Sequence, residues 1–186
     1  MPMSYASRHV LEDHIAGFEA NPNPHHLSIV RAPTVLSVLV HEGHQADIDE
    51  ALSNLEDVSV RFAGPNEWLL VSEQVSGDAL ARQLSDLGSA RVSFVEQSDG
   101  RVVLRITGPR VRSILAKCVA LDLHADVFEV GQSANVQFCH VAANLARTGD
   151  DTFEIVVMRS FAGFVFDEVV EMGREFALTS GFDTSL

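Results

Sequence analysis

The chain has 186 residues, of which 46% are hydrophobic and 21% charged, and its 26 acidic residues against 13 Lys and Arg give a formal net charge of −13. This composition is that of one globular domain, or of two fused halves, and it excludes a wholly disordered chain. So acidic a surface repels nucleic-acid phosphates and anionic lipid headgroups, which argues against both as partners. It favours instead a partner with a basic face.

The cysteines and the N-terminus predict a compartment. Cys118 and Cys139 are the two cysteines, and they form neither a C-x-x-C motif nor a zinc-site spacing. The first residues have no basic start and no apolar stretch of the kind that directs secretion. We therefore expect a soluble cytoplasmic protein with free thiols. A disulfide between positions 118 and 139 is possible, but this compartment disfavours it.

Residues 1–26 are predicted to form an N-terminal arm. A loose apolar stripe indicates a short helix within residues 4–20, and the run from Asn21 to Pro24 breaks it. Two interpretations stay open: a frayed terminus, or an arm that docks on another subunit.

The first half, residues 27–100, alternates strand and helix patterns. Strands are expected within 27–41 (with Pro33 at a boundary or edge), 58–62, 67–72 and 90–96, and helices within 45–55 and 76–87. Ser76 is the expected N-cap of the second helix, and Gly88 its stop signal.

The second half, residues 101–176, continues the alternation. Strands are expected at 101–107, 132–140, 141–147 and 152–158, and helices at 109–120 and 160–176. Pro109 would occupy the first position of its helix, and Ser160 would cap the last one. Residues 177–186 are predicted to be a C-terminal tail.

The two halves weakly echo each other. The turn and strand that include Trp68 and those that include Phe153 are both followed by a helix pattern. Paired strands alternating with single helices predict an α+β fold made of two related split-βαβ, ferredoxin-like halves.

Most catalytic signatures are missing. No Gly-x-Gly-x-x-Gly, P-loop or Gly-x-Ser-x-Gly sequence occurs, which argues against self-contained nucleotide, flavin and hydrolase chemistry. His41 and His44 have no evident third metal ligand. Cys118 and His140 could form a nucleophile pair, but a buried structural thiol is the favoured interpretation.

The best anion-binding candidate is the turn at Gly108-Pro109, with Arg110 and Arg112 at the start of a predicted helix. Backbone N–H groups, the helix dipole and the arginines would favour a carboxylate or phosphate. A plain strand-to-helix turn with solvated arginines is the favoured alternative.

Three segments together extend the prediction. They are residues 107–124, from Thr-Gly-Pro-Arg to Leu-Asp-Leu-His; residues 147–162, from Arg-Thr-Gly-Asp-Asp to Arg-Ser-Phe-Ala; and residues 64–70, Gly-Pro-Asn-Glu-Trp-Leu-Leu. In this order and spacing the chain resembles the gamma subunit of heterotetrameric sarcosine oxidase over residues 27–176. It departs from the family pattern at Cys118-Val119, Ala125 and Met158, which affects loop details.

The resemblance implies a fold related to the folate-binding region of glycine-cleavage aminomethyltransferase. It also implies a noncatalytic assembly subunit of a flavoprotein complex that oxidatively demethylates sarcosine. The products would be glycine, hydrogen peroxide and 5,10-methylenetetrahydrofolate. No cofactor is expected in this chain, whereas FAD, FMN, NAD, zinc and tetrahydrofolate are expected in the other subunits. The partners would be the alpha, beta and delta subunits, chiefly alpha.

Motif position predicts the contact residues of this subunit, which are Arg110, Lys117, Asp122, His124, Arg159 and Ser160. The alternative function is a stand-alone folate-binding one-carbon transfer protein or regulator. That alternative needs a carboxylate for the pterin ring and a deep cavity. Glu67, Asp122 and Glu154 are all available for it, and nothing in the sequence singles one out.

Overall fold

The computed structural model describes residues 8–15 and 23–183, within which ten strands form two sheets. The strands are β1 (His26–Ile29), β2 (Thr34–Val40), β3 (Ser59–Gly64), β4 (Glu67–Ser72), β5 (Val92–Glu96), β6 (Arg101–Thr107), β7 (Ser133–Phe138), β8 (Val141–Gly149), β9 (Thr152–Met158) and β10 (Thr179–Phe182). The α-helices are α1 (Glu12–Ile15), α2 (Gln45–Ser53), α3 (Gly77–Asp86), α4 (Val111–Leu115) and α5 (Ala162–Gly173).

The first sheet is a complete split-βαβ unit. Its chain order is β2-α2-β3-β4-α3-β5, and its strand order is β3-β4-β2-β5 with every pair antiparallel. Apolar side chains of α2 and α3 pack on one face of the sheet, where Ile48 and Leu80 are fully buried. The predicted ferredoxin-like half is thereby confirmed. Ser76 caps α3 as expected, because its Oγ accepts a hydrogen bond from the Ala79 N–H at 3.3 Å.

The second sheet is the same unit with two added strands. Its order is β10-β1-β6-β9-β8-β7. β6, β8, β9 and β10 correspond to the four strands of the first sheet, while β1 is inserted between β10 and β6 and β7 is added at the outer edge. The α+β class and the two-half architecture are confirmed, but the halves are not equal segments of the chain.

The position of strand β1 moves the start of the first half beyond residue 27, its predicted first residue. Residues 27–41 were expected as strand material of the first half, yet β1 belongs to the six-stranded sheet and β2 to the four-stranded sheet. Pro33 lies between them, as predicted for a residue that cannot donate a ladder hydrogen bond. The apolar run continues on both sides of Pro33, so composition gives no sign that the two pieces join different sheets.

The predicted tail is partly a strand. Thr179–Phe182 forms β10, which pairs in parallel with β1. The His26 Nδ1 lies 2.7 Å from the Thr179 Oγ1 and ties the two strands together. Four residues are too few to show a strand period, and it is the long-range pairing that forms this strand.

Two helices differ from their predicted bounds. The helix expected at 109–120 is reduced to Val111–Leu115, with Pro109 before it, because the chain turns at Lys117 and Val119 then forms an antiparallel bridge with Phe138. The last helix has the predicted extent only if its flanking 3-10 turns at residues 159–161 and 174–176 are included. Phe161, and not Ser160, occupies the N-cap position of α5.

The described part of the N-terminal arm packs on its own chain. Leu11 and Ile15 are fully buried in the core of the six-stranded sheet. The Nδ1 of His14 lies 3.1 Å from the Asp167 carboxylate on α5. The remainder of the expected arm, residues 1–7 and 16–22, lies outside the described residues.

A substitution at Gly108 tests whether the turn after β6 packs as closely against residues 24 and 25 as the structure shows. The φ of Gly108 is +130°, and a Cβ there would lie 2.1 Å from the Pro24 carbonyl oxygen. We expect Gly108→Ala to lower the free energy of unfolding by at least about 2 kcal/mol, through backbone strain and overlap. Thermal unfolding should show a midpoint lower by roughly 4 °C or more.

Gly100→Ala is the matched control, since a Cβ at Gly100 would meet nothing within 4 Å. Its unfolding midpoint should stay close to that of the unchanged protein. Equal midpoints for the two variants would contradict the close approach of residues 24 and 108.

Candidate functional site

A buried ion cluster joins the two sheets. Glu154 on β9 lies between two arginines: its Oε2 accepts a hydrogen bond from the Arg61 Nη2 of β3, and its Oε1 accepts one from the Arg105 Nε of β6 at 2.8 Å. Arg61 is only 1% exposed although it carries a full charge. A buried charge is tolerated when it is paired and hydrogen-bonded, so Glu154 provides the counterion that this junction needs.

Further carboxylates complete the cluster at its outer side. Arg105 also donates to Asp183, which follows β10, at 2.5 Å, and to Glu73, which follows β4. Burial opposes the charged form of Arg105, but the attraction of Glu154 and the hydrogen bonds to Glu73 and Glu154 outweigh it and raise the pKa of Arg105. Burial lowers the pKa of Arg61, and Glu154 opposes that effect. The cluster therefore joins side chains from three strands, β3, β6 and β9, to carboxylates that directly follow two others, β4 and β10.

A small cleft of about 210 Å³ lies beside this cluster, lined in part by Val30, Ser59 and Thr148. It is smaller than the range of about 300–1,000 Å³ usual for pockets that enclose small molecules. Apolar side chains from both sheets pack next to it, and they are Val30, Val35, Leu69, Val71, Val103 and Val156. The geometry is that of a joint between two halves.

The three carboxylates considered for a pterin ring are not placed for that task. Glu154 is taken up by the two arginines. Glu67 is exposed at the start of β4, and Asp122 accepts a hydrogen bond from the His124 N–H within a turn. Glu154 borders only the small cleft and Glu67 an open surface groove, so the folate-binding alternative gains no support.

The Gly108 turn is not an open anion site. Arg112 donates to the Leu123 carbonyl oxygen at 3.1 Å and to Asp151 at 2.7 Å, so its guanidinium holds the loop after α4 against the β8–β9 turn. Arg110 is exposed at the N-cap of the five-residue α4 and makes no side-chain hydrogen bond or ion pair within the described part of the chain. Of the two arginines, only Arg110 is available to a partner.

Lys117 is engaged within the chain. Its ammonium donates to the Met172 carbonyl oxygen at 3.0 Å, pairs with Glu175, and lies 5.1 Å from the centre of the Phe176 ring. These contacts fasten the turn after α4 to the C-terminal end of α5, where a cation is favoured by the helix dipole.

Asp122 and His124 form a local turn on the surface. Asp122 Oδ1 accepts from the His124 N–H at 2.9 Å, and the His124 Nδ1 lies 3.7 Å from the Asp126 carboxylate. Both ion-pair partners are mostly exposed, so this pair contributes little to stability.

Arg159 and Ser160 lie in a different place, in the exposed 3-10 turn that precedes α5. Arg159 lines a groove together with Arg31 and Arg101. The six predicted contact residues are thus not one cluster: four of them lie around α4 and the loop after it, and two lie in the turn before α5.

The structure reveals an apolar surface beside Arg159 and Ser160 that sequence reasoning missed. We call the residues Leu39, Val95, Met158 and Phe161 the apolar rim; each is 43% to 61% exposed. Leu39 and Val95 line one groove and Met158 an adjoining one, and both grooves are bordered by Gln97 and Arg101. The 3-10 turn at residues 98–100, which borders these grooves, also contacts the 3-10 turn that contains Phe161.

A sequence signal for the rim exists but is weak. In β2 nearly every position is apolar, so alternation cannot say which face is covered. The structure shows that Leu36 and Val38 take part in the core under the helices, while Leu39 is left open. Large exposed apolar side chains that lie together are typical of surfaces that bind another protein.

Comparisons with known proteins agree with this picture. The family model described as sarcosine oxidase, gamma subunit family, matches residues 32–173. This chain belongs to the sarcosine oxidase gamma subunit family. The sarcosine oxidase subunit gamma of Corynebacterium sp. strain U-96 is 27% identical over 136 residues, which cover 73% of this chain and 65% of that relative. The match therefore spans slightly less than two thirds of that relative's length.

Solved structures show the same fold. A chain of the heterotetrameric sarcosine oxidase from Corynebacterium sp. U-96 superposes with a TM-score of 0.79 at 22% identity, covering 92% of this chain and 96% of that one. The glycine cleavage system aminomethyltransferase T from Bartonella henselae gives a TM-score of 0.57 at 16% identity and covers 93% of this chain and 50% of that one. The expected relation to the aminomethyltransferase fold is confirmed.

Two further observations concern metals and membranes. Within residues 8–15 and 23–183, no three His, Cys, Asp or Glu side chains are grouped so that they could hold a metal ion. No helix in the same part of the chain combines the length and apolar character that crossing a bilayer requires.

The ion cluster generates a stability prediction. Glu154→Gln keeps the side-chain shape but leaves the buried Arg61 without a counterion. We expect it to lower the free energy of unfolding by about 3–5 kcal/mol, as measured by urea denaturation. The exposed Glu129→Gln should change it by less than about 0.5 kcal/mol.

Replacing both partners tests the cause. The double variant Arg61→Met with Glu154→Leu removes both charges and should be more stable than Glu154→Gln, because no unpaired charge then remains buried at this position. A double variant less stable than Glu154→Gln would mean that shape, and not charge pairing, holds the two sheets together.

Proposed function

We propose that this chain is the gamma subunit of a heterotetrameric flavoprotein complex that oxidatively demethylates sarcosine to glycine. Hydrogen peroxide and 5,10-methylenetetrahydrofolate are the co-products. The observation that carries the proposal is the family match over residues 32–173, on a fold shared with a chain of a heterotetrameric sarcosine oxidase.

In this proposal the chain does no chemistry of its own. FAD, FMN, NAD, zinc and tetrahydrofolate belong to the alpha, beta and delta subunits, and the complex works in the cytoplasm. The enzyme relatives include heterotetrameric sarcosine oxidase itself. The engagement of Glu154 by arginines and the small size of the neighbouring cleft support a structural role for this subunit.

The contact surface that we propose for the alpha subunit is the apolar rim with Arg159 and Ser160 at its border. Four half-exposed apolar side chains near one another would be covered by a partner, as in the cores of protein interfaces. The carboxylates of Glu67 and Glu96 and the guanidinium of Arg101 line the same grooves, so the facing surface of the alpha subunit should be apolar at its centre and carry charges of both signs at its edge.

The other predicted contact residues form a second, smaller proposal. Arg110 and His124 are exposed and remain candidates for polar contacts. Asp122 holds a turn, and Lys117 is fastened to the end of α5. We propose that these last two shape the surface around α4 rather than contact the partner strongly.

Copurification tests the function. The tagged chain, expressed in its native host, should bring down three other subunits with a flavin absorption band. The purified complex should form peroxide with sarcosine more rapidly than with N,N-dimethylglycine. A colourless chain recovered alone would overturn the subunit proposal, whereas a flavoprotein complex active only with another N-methyl amine would overturn the substrate alone.

A matched pair of variants tests the contact surface. Val95→Asp places a charge in the apolar rim, while Val127→Asp places one on a similarly exposed valine in the loop between α4 and β7. We expect Val95→Asp to lower the amount of copurified flavoprotein at least about tenfold, equivalent to about 1.4 kcal/mol of binding free energy. Val127→Asp should leave it within about twofold.

Both variants should keep the thermal unfolding midpoint of the isolated chain, because each valine is more than half exposed. Equal recovery of flavoprotein with the two variants would contradict the assignment of the apolar rim to the alpha subunit.

A further inference from the structure

The two cysteines of the chain are brought together by the fold. Cys118 lies in the turn after α4, and Cys139 lies in the loop between β7 and β8. The Cys139 N–H donates to the Cys118 carbonyl oxygen at 2.8 Å, next to the antiparallel bridge between Val119 and Phe138. In an antiparallel pair the neighbours of a bridge also face each other, so residues 118 and 139 are directly opposed.

This opposition suits a disulfide. Directly opposed residues of antiparallel strands have Cα atoms about 4.5–5.5 Å apart, and disulfides join Cα atoms about 4.4–6.8 Å apart. Each thiol is also the main influence on the pKa of the other, as expected for side chains of directly opposed residues. A covalent bond between them therefore requires little movement of the backbone.

The loop that carries Cys139 has an uncommon composition for its shape. Phe138 pairs with Val141, so Cys139 and His140 form a two-residue hairpin loop, and their φ values are +46° and +72°. Loops of this kind usually contain Asn, Asp or Gly, since other side chains are disfavoured at positive φ. The β7–β8 pairing and the backbone hydrogen bond to Cys118 hold Cys139 in this conformation, against the other cysteine.

The two thiols are chemically unequal. The Cys118 S–H donates to the Ile114 carbonyl oxygen at 3.7 Å, and the neighbouring Cys139 thiol together with burial raises the pKa of Cys118. The neighbouring Cys118 thiol lowers the pKa of Cys139, against the opposing effect of burial. Thiolates are the nucleophilic form of cysteine, and Cys118 and Cys139 are 6% and 8% exposed, so we expect Cys139 to react first with a small oxidant.

We propose that Cys118 and Cys139 are a peroxide-oxidised modification site that closes into an intramolecular disulfide. The Cys139 thiolate attacks one oxygen of hydrogen peroxide, the O–O bond breaks, and a sulfenic acid and hydroxide form. The hydroxide takes a proton and leaves as water. The Cys118 sulfur then attacks the Cys139 sulfur, the S–O bond breaks, and a second water leaves with the Cys118 proton. Two thiols and one peroxide thus give one disulfide and two waters.

Hydrogen peroxide, the oxidant in this proposal, is also a product of the proposed function. The disulfide can still be tested without that function, because peroxide can be added directly. A complex that releases peroxide would expose its own subunits to this oxidant. The disulfide would tie the turn after α4 to the β7–β8 loop, close to the loop and turn that surround Asp122 and Lys117.

The test uses the 186-residue chain, whose only thiols are these two. The protein is treated with hydrogen peroxide, the excess is removed with catalase, and the chain is unfolded in the presence of N-ethylmaleimide. Before treatment we expect two maleimide additions. After treatment we expect none, with a mass lower by two hydrogen atoms, a cross-linked peptide pair containing residues 118 and 139, and full reversal by dithiothreitol.

Single variants assign the roles. In Cys118→Ser, dimedone should trap a sulfenic acid on Cys139. In Cys139→Ser, Cys118 should stay reduced and take up one maleimide at the same peroxide dose. The mapping of the unchanged protein decides the proposal even where a variant fails to fold.

Three outcomes would overturn the proposal: retention of both maleimide sites when methionines are already oxidised, oxidation of the cysteines to sulfinic acid without a cross-link, or disulfides formed only between chains. A disulfide that forms in a chain with no flavoprotein partners would support this site and leave the subunit proposal to its own test.

Discussion

The Glu154 carboxylate, held between Arg61 and Arg105, is the contact on which the relation of the two sheets depends. Apolar packing alone lets two sheet faces slide, since it has no preferred direction. A buried carboxylate shared by arginines from β3 and β6 favours the arrangement that leaves no charge unpaired. Hydrogen bonds from the Asn144 and Asn135 amides to the Phe62 and Ala63 carbonyl oxygens hold β3 in the same arrangement. The valines beside it then pack in that arrangement.

The same cluster links the ends of the folded core. Asp183 follows β10 and binds Arg105, while β10 itself is held by β1. The N-terminal and C-terminal strands therefore complete the sheet together, one parallel to the other. The close approach of Gly108 to Pro24 and His25 places the start of β1 against the turn after β6. Without these contacts the six-stranded sheet would be left with the edge of β6 unpaired.

The surface has two distinct regions, one apolar and one polar. The apolar rim lies where β2, β5, the end of β9 and the turn before α5 come together, and its side chains are each 43% to 61% exposed. The loop and turn around α4 are polar and internally hydrogen-bonded. These two regions are the surfaces on which the proposals for this chain rest, and the cysteine pair lies at the second of them.

The sequence by itself determined the local elements, because their signals are local. Ser76 and Gly88 delimit α3, Pro33 separates two strands, and the alternation of strands and helices predicts two split-βαβ halves. The three quoted segments also pointed to the correct family, which the match over residues 32–173 confirms.

Only the tertiary structure decided which sheet each strand joins and which side chains are left open. The residues of β1 and β10 are four each and have no distinctive period, so long-range hydrogen bonds define them as strands. Glu154 and Arg61 are 93 residues apart, and no pattern in the sequence links them. The contact of Cys118 with Cys139 arises in the same way, from a bridge between segments that become neighbours only when the chain folds.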